Sequence, residues 1–502
     1  MREEENFADV QRLVLHGSIW NFGRHLSLEF PERLQPLPPL KNATPSHPLT
    51  FLATERDRTR LCRPTGAWPA KRPEVQLSIG FSRRGLAKLD VPPHVLSFFA
   101  LKTPAFTAGA ALRSSRHLGT SGRSAPPHWD ESFHHMKLDA VLSLHGDTEH
   151  TLDGLVDEIE NVALHYDVIV RRLPATRRLA NAAGVAEPAH NGIVAERREE
   201  WTHFGFRDGL ARIGISGWTE KKKLAECKPS SIHRAGEFVL GHPQDSGANP
   251  YIAGPGLRVW PEEVRAFFHN GSFAVVHQME QHVEVFDEFI AKEAKRLKID
   301  DVDELKAKLC GRHPNGRVLS GAPSPGQVDA DFDFADDADG RHCPFGSHIR
   351  RMNPRAAIDA DGALAHAARR RALLRRGMPY VRLRDVGPVQ PGKEEHGFIG
   401  HFFCASIEDQ FEHLVGQWGE RVPLGSADRG RARDPLIGAH EYDDGDFEIP
   451  TDDPRAPLTV KGLRPFVRVV GTSYLFYPSL STFDGIVASK TWTSDPDDEA
   501  DA

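Results

Sequence analysis

Two hydrophobic periods alternate along the chain. Ala140-Val-Leu-Ser-Leu144 reads as a strand, and Leu152, Leu155, Val156, Ile159, Val162 and Ala163 then recur three and four residues apart. That spacing gathers them on one helix face and leaves Asp153, Asp157 and Glu158 outside the stripe. Val168-Ile-Val170 follows as a second, β-branched strand. The succession returns further on. Ser272-Phe-Ala-Val-Val276 reads as a strand, and Val283, Phe286, Phe289, Ile290, Ala294 and Leu297 line one face of a helix. Phe398-Ile-Gly-His-Phe-Phe403 leads into Ile407, Phe411, Leu414, Val415 and Trp418 at helical spacing, and Phe466-Val-Arg-Val-Val470 returns as a strand. Strands and helices interleaved this irregularly point to an α+β fold, with antiparallel sheets and helices packed on their faces.

A divide near residues 225–245 is expected, giving an N-terminal domain over 1–235 and a C-terminal domain over 236–493. The acidic stretch 494–502, SDPDDEADA, is expected to be a disordered tail. The segment to about Arg60, with PLPPLKNATPSHP, reads as irregular wrapping, and Phe106 to Asp130 as a long loop.

Bulk properties narrow the function classes. A chain of 502 residues exceeds one ordinary core, so two domains are the starting expectation. Hydrophobic content of 39% and charged content of 26% suit a globular protein. The formal net charge of −7 argues against a dedicated nucleic-acid binder. No apolar run approaches the length of a membrane span, and the acidic N-terminal stretch MREEENFADVQRLVLHG is not expected to act as a secretory signal. Five cysteines (Cys62, Cys227, Cys310, Cys343, Cys404) stand without paired spacing, which fits reduced thiols in the cytoplasm.

Two distant segments carry the chemistry. Gly205-Phe-Arg-Asp-Gly209 puts one carboxylate between two glycines, which permits close approach of backbone to a flat ligand. Taken alone, the same residues also describe an ordinary Asp-Gly turn. His342-Cys-Pro-Phe-Gly-Ser-His348-Ile-Arg-Arg-Met-Asn-Pro-Arg355 offers His342, His348 and the Cys343 thiol as donors, beside Arg350, Arg351 and Arg355. Haem iron takes an axial histidine, and arginines pair with its propionates. The spacing does not match zinc, because no second paired cluster accompanies it. A surface loop of ordinary histidines is the bland alternative among 26 histidines. Residues 369–376 hold five arginines and read as a solvated, basic helix end stopped by Gly377 and Pro379. One of those arginines can turn inward as a fixed cation.

Taken together, these segments resemble the dye-decolourising peroxidase family, in its larger bacterial and fungal branch. The glycine-x-x-aspartate-glycine signature matches Gly205, Asp208 and Gly209. The block around the family's histidine matches Cys343, Pro344, His348, Ile349, Arg350, Asn353, Pro354 and Arg355, and the arginine-arginine-glycine signature matches Arg375, Arg376 and Gly377. The likeness covers roughly residues 100 to 485, in order.

The resemblance implies two ferredoxin-like domains with haem b in the second. It implies His348 as the iron ligand, Asp208 as distal acid–base residue, Arg375 as distal cation against the cofactor, Arg350 as propionate partner and Phe403 as part of the apolar distal cover. His401 stands where the family places an aliphatic residue, and Asp434 is a candidate carboxylate behind His348. The implied reaction reduces hydrogen peroxide and oxidises dyes, phenolics or other small organic reductants. Trp260, Trp418, Tyr380 and Tyr474 are candidate electron relays toward the surface. No nucleic acid or membrane partner is expected, and self-association into a homo-oligomer is left open. The competing reading is a haem carrier or iron-release protein without turnover, which has no need of Asp208 or Arg375.

Overall fold

A computed structural model of the chain describes residues 7–17, 20–32, 74–181, 184–185, 200–210, 213–219, 221–225, 227, 231–251, 259–319, 332, 334, 336–354, 369–383, 394–421, 433–440 and 445–487. The acidic tail, the proline-rich stretch and Arg355 lie outside the described residues.

Nine strands form one sheet. The first five are β1 (Phe22–Glu29), β2 (Val75–Phe81), β3 (Ala140–Gly146), β4 (Ile169–Arg172) and β5 (Thr176–Arg177). Short ladders follow: β6 (Leu179–Asn181) with β7 (Gly184–Val185), β8 (Glu200–Trp201) with β9 (Arg207–Asp208), and β10 (Gly214–Ser216) with β11 (Ile232–Arg234). The sheet continues with β12 (Ser272–Gln281), β13 (Leu374–Leu383), β14 (Glu394–Cys404) and β17 (Val467–Tyr477), while β15 (Gly445–Ile449) and β16 (Leu458–Leu463) make a separate hairpin.

Both halves of the sheet have one antiparallel topology. The early strands lie in the order β4-β1-β3-β2 and the late ones in the order β17-β12-β14-β13. In each the fourth strand lies beside the first, and the third beside the second, which is the ferredoxin-like order. The late half runs strand, helix (Val283–Leu297), strand, strand, helix (Ile407–Gly419), strand. The halves meet at narrow seams, Phe81 opposite Phe476 and Thr176 opposite Tyr380. β5 also pairs with β1, so the sheet closes into an eight-stranded barrel.

Closure buries β2 and β3 on both faces throughout. Outward Leu77, Ile79, Leu142 and Leu144 pack with Leu152, Leu155, Val156 and Ile159 of the helix Glu149–His165 in one core. Inward Val141, Ala274, Val276, Ile399, Phe403 and Tyr477 fill the lumen together with the segment Phe7–Leu15.

Three sequence expectations change. Phe106 to Asp130 is not a long loop; it carries the short helices Pro104–Ala108, Ala110–Arg113 and Ser114–Leu118 and the single turns Gly122–Ser124 and Pro126–His128. The stretch before Arg60 contains β1, a central strand hidden in the pattern because its inward residues are polar. His25 and Ser27 are buried there and hydrogen-bonded, His25 to Ser143 Oγ at 3.0 Å and Ser27 to the Ser132 carbonyl at 2.8 Å. The arginine run does not end a helix at Gly377 and Pro379: residues 374–383 form β13, and those residues lie inside the strand. Gly377 is required there, since a Cβ would meet the Phe398 ring at 2.2 Å.

Phe476 sits in the outer core, fully buried, with ring centroids of Phe99 at 5.3 Å, Phe267 at 5.6 Å and Phe273 at 5.8 Å. It also stands at a seam between the halves. Phe476→Ala is expected to cost about 3–5 kcal/mol, read as a lowered thermal midpoint. An unchanged midpoint would show that the seam does not depend on this ring.

Candidate active site

The site lies on the outer face of the late half of the barrel. On β14, even positions Phe398, Gly400 and Phe402 face outward, and odd positions Ile399, His401 and Phe403 face the lumen. Pairing sets Arg375 of β13 opposite Phe402, so both share the outward face. Phe402, Phe411 of the helix Ile407–Gly419 and His277 of β12 form a ring cluster, with centroids 5.2–6.4 Å apart. A cavity of about 1700 Å³ is lined by residues of this face and, further in, by lumen residues such as His25, His145 and His401; His348, Asp208 and Arg375 all line it.

His348 begins a five-residue helix, His348–Met352. Its Nδ1 is 2.9 Å from Asp434 Oδ2, and Asp434 is shut off from solvent. Asp434 Oδ1 accepts from the backbone N–H groups of Leu436 (2.9 Å) and Ile437 (3.1 Å). Burial alone pushes this carboxyl up, but the His348 imidazole and its hydrogen bond, Arg351 and the Leu436 N–H together hold it below the usual carboxylate range. An ionised Asp434 fixes the proton on Nδ1. Nε2 keeps its lone pair, with no partner among the described residues, and the ring is 26% exposed toward the cavity. Apolar Ile349, Met352, Leu414, Val415, Leu436 and Ile437 surround it on the cavity wall.

Asp208 is delivered by the hairpin β8–β9. Gly205 (φ 82°) and Gly209 (φ 70°) both adopt the left-handed conformation that glycine favours. The turn is closed by Gly205 N–H to the Thr202 carbonyl (3.0 Å) and Thr202 N–H to the Phe206 carbonyl (2.8 Å). The turn reading and the site reading therefore describe one object. Among the described residues nothing pairs with the Asp208 carboxylate or the Arg375 guanidinium.

The sequence of residues 53–178 matches the DyP dimeric alpha+beta barrel domain. Over 452 residues the chain is 25% identical to the dye-decolorizing peroxidase msp1 of Mycetinis scorodonius, covering 84% of this chain and 78% of that protein. It is 26% identical over 432 residues to the multifunctional dye peroxidase DyP2 of an Amycolatopsis species, 81% of each. A fungal DyP-type peroxidase from Auricularia auricula-judae shares the fold with a TM-score of 0.69 at 22% identity, over 96% of this chain and 99% of that one. The chain resembles the dye-decolourising peroxidases in sequence and in fold.

Two expected cofactor contacts are displaced. Arg350 is not on the cavity wall. Its guanidinium is 1% exposed, bonded to Asp337 Oδ2 at 2.9 Å and to the carbonyls of Cys343 (2.6 Å) and Asp337 (2.8 Å), between the rings of Phe334 and Phe345. It therefore serves the core behind His348, not a propionate. Arg464 and Arg207 do line the cavity. Phe403 faces the lumen, its ring 5.0 Å from Tyr477, and Phe402 takes the cavity position. A motif gives spacing, and a one-residue change of strand position reverses the face.

The other candidates also resolve. Cys343 is fully buried, and burial pushes its thiol up to about 11, so it supplies no thiolate to the cavity. His342 is exposed away from the cavity. His401 points into the lumen, where its Nε2 lies 3.0 Å from Ser143 Oγ, and burial lowers its pKa to about 4. Trp260, Trp418, Tyr380 and Tyr474 are at most 5% exposed, so none reaches the surface to meet a large dye directly. Among the described residues no helix is long and apolar enough to cross a membrane.

Sequence reasoning missed Glu420, also on the cavity wall. It accepts from the Ala439 N–H at 3.0 Å and meets Arg433 Nε at 3.2 Å. Burial, with nearby Asp434 adding to it, pushes its carboxyl up to about 7. A carboxyl raised on folding contributes stability fully below its unfolded pKa, and that contribution is lost as pH rises through 7. The loss is on the order of 3 kcal/mol. Glu420→Gln is expected to remove it, so the variant's thermal midpoint should overtake the wild type's between pH 5 and pH 8. Parallel pH profiles would contradict the burial of this charge.

Proposed function

We propose that this protein is a haem b peroxidase that reduces hydrogen peroxide and oxidises dyes, phenolics and related small organic molecules. One observation carries the reading. An imidazole pinned by a buried carboxylate shares a cavity with a carboxylate and a guanidinium that nothing in the described protein neutralises. The Asp208 carboxylate is half-buried and the Arg375 guanidinium exposed on the cavity wall, so both remain available to a polar ligand between them and His348. The volume exceeds what a drug-sized ligand occupies, roughly 300–1,000 Å³, which leaves room for a porphyrin and for access beside it.

The residues fit that group. His348 Nε2 would hold the iron, the apolar wall of Ile349, Met352, Leu414 and Leu436 would cover the ring, and Arg464 and Arg207 would meet the propionates. The bound iron porphyrin supplies a metal that binds peroxide and accepts electrons one at a time. The protein's own part is proton and charge placement. Asp208, ionised, takes the proton from one peroxide oxygen and returns it to the other as the O–O bond opens. Arg375 stays charged and stabilises the negative charge that gathers on the departing oxygen. Asp434 keeps His348 in one tautomer and orientation and raises its basicity toward a metal. Phe402 and Phe411 exclude water from the face that Arg375 borders.

The four described cysteines are all free thiols, which supports a reducing compartment, so the proposal places the protein in the cytoplasm. The division into domains at residue 235 belongs to the same proposal. It would leave Asp208 on one domain and His348 and Arg375 on the other.

His348→Ala is expected to lose the Soret band or shift it, and Asp208→Asn and Arg375→Leu to keep the band. In the latter two, the first spectral change after mixing with peroxide should slow by about 100-fold or more in stopped flow. Undiminished rates in both variants would remove Asp208 and Arg375 from the chemistry. An unaltered Soret spectrum in His348→Ala would move the ligand elsewhere.

A further inference from the structure

A second imidazole–carboxylate pair places its imidazole on the wall of the same cavity, and nothing in the reaction described above uses it. His233 lies on β11, held opposite Ile215 of β10 by parallel pairing. Its side chain is 5% exposed, and its Nδ1 is 3.1 Å from Asp245 Oδ2. Asp245 is fixed in turn. Its Oδ1 accepts from the Arg234 N–H at 2.7 Å, and its Oδ2 accepts from Arg369 Nη2 at 2.9 Å. The Phe238 ring stands edge-on to the imidazole at 5.8 Å. Nδ1 therefore carries the proton, and Nε2 is left as an acceptor with no partner among the described residues. Trp218, Lys223 and Arg369 line the cavity as well, and the Trp218 indole meets the rings of Phe7 at 5.7 Å and His16 at 4.6 Å.

We propose that His233, oriented by Asp245, is the proton acceptor for phenolic reductants bound beside it. The proposal rests on the peroxidase reading and names the reductant class. A phenol is neutral near pH 7, since its hydroxyl titrates at about 10, so an electron cannot leave it cheaply unless the proton leaves too. The O–H bond breaks, the proton passes to His233 Nε2, the electron passes to the oxidised haem site, and a phenoxyl radical departs. Two such events balance one peroxide: H₂O₂ + 2 ArOH → 2 ArO• + 2 H₂O. The two protons are the ones the two product waters need, and both ends of the transfer open on one cavity. Asp245 stabilises the imidazolium formed. Burial pushes its carboxyl up, but the His233 hydrogen bond, the Arg234 N–H and the charges of His233 and Arg369 outweigh that and keep it ionised. His233 is thus a catalytic residue for this half of the cycle, and Asp245 a positioning residue.

The test compares two reductants of the holoenzyme at saturating peroxide. One is 2,6-dimethoxyphenol, which must lose a proton, and the other is ferrocyanide, which gives only an electron. In His233→Phe, kcat/KM for the phenol is expected to fall about 100-fold, with ferrocyanide turnover within twofold of wild type. Asp245→Asn should lower the phenol value and spare ferrocyanide, with Asp245→Glu restoring part of it. Wild type should show a solvent deuterium isotope effect with the phenol and none with ferrocyanide. Without peroxide, adding the phenol should shift the ¹⁵N resonance of His233 Nε2.

Equal turnover of the phenol in wild type and His233→Phe would overturn the proposal and leave the peroxidase reading intact. So would an equal fall for both reductants, or an absent isotope effect together with an unmoved resonance. A wild type that oxidises neither reductant would instead defeat the peroxidase reading itself.

Discussion

A carboxylate sealed from water decides the orientation of the ring on which the proposed chemistry turns. Asp434 has two backbone N–H groups on one oxygen and the His348 imidazole on the other. Such a group is costly to bury, and the arrangement is stable only while every acceptor position is used. Remove the imidazole and the charge is stranded; remove the charge and the imidazole can turn or change tautomer. The helix Ile407–Gly419 enters the same constraint, because its Gly419 carbonyl accepts from the Asp434 N–H. The helix that carries Phe411 over the cavity is thus tied to the segment that aims His348.

The barrel supplies the opposite requirement, a wall with two different faces. Alternation along β13 and β14 sends Arg375 and Phe402 outward and Arg376 and His401 inward. Arg376 is anchored inside, donating to the carbonyls of Leu13, Val14 and Leu15. Arg375, one residue away, has no side-chain partner among the described residues and faces the cavity. The two arginines of one signature therefore have opposite tasks, and the pleat of the strand assigns them.

Much of this was legible in the sequence. Helices with one apolar stripe, such as Glu149–His165 and Val283–Leu297, announce themselves because one face meets water. Asp208, His348 and Arg375 stood out as candidates, since few residue types can serve as axial ligand, proton carrier and fixed cation, and all three line one cavity. What failed to show was direction. β1 is buried on both faces of the closed barrel and β13 turns its inner face to the lumen, so polar residues such as His25 and Arg376 break the expected alternation while paired inside. Arg350 and Phe403 sit in the right motifs, but one turns into the core beside Asp337 and the other into the lumen. Glu420 and the His233–Asp245 pair carry no local signal at all. Asp245 lies twelve residues beyond His233, and only the fold returns it to the ring.

Iron anomalous diffraction from crystals of the haem-loaded protein tests the central claim most directly. The account places one iron at bonding distance from His348 Nε2, with Asp208 and Arg375 on the far side of the porphyrin. An iron bound at His233, or one with Asp208 and Arg375 in a different chamber, would contradict it.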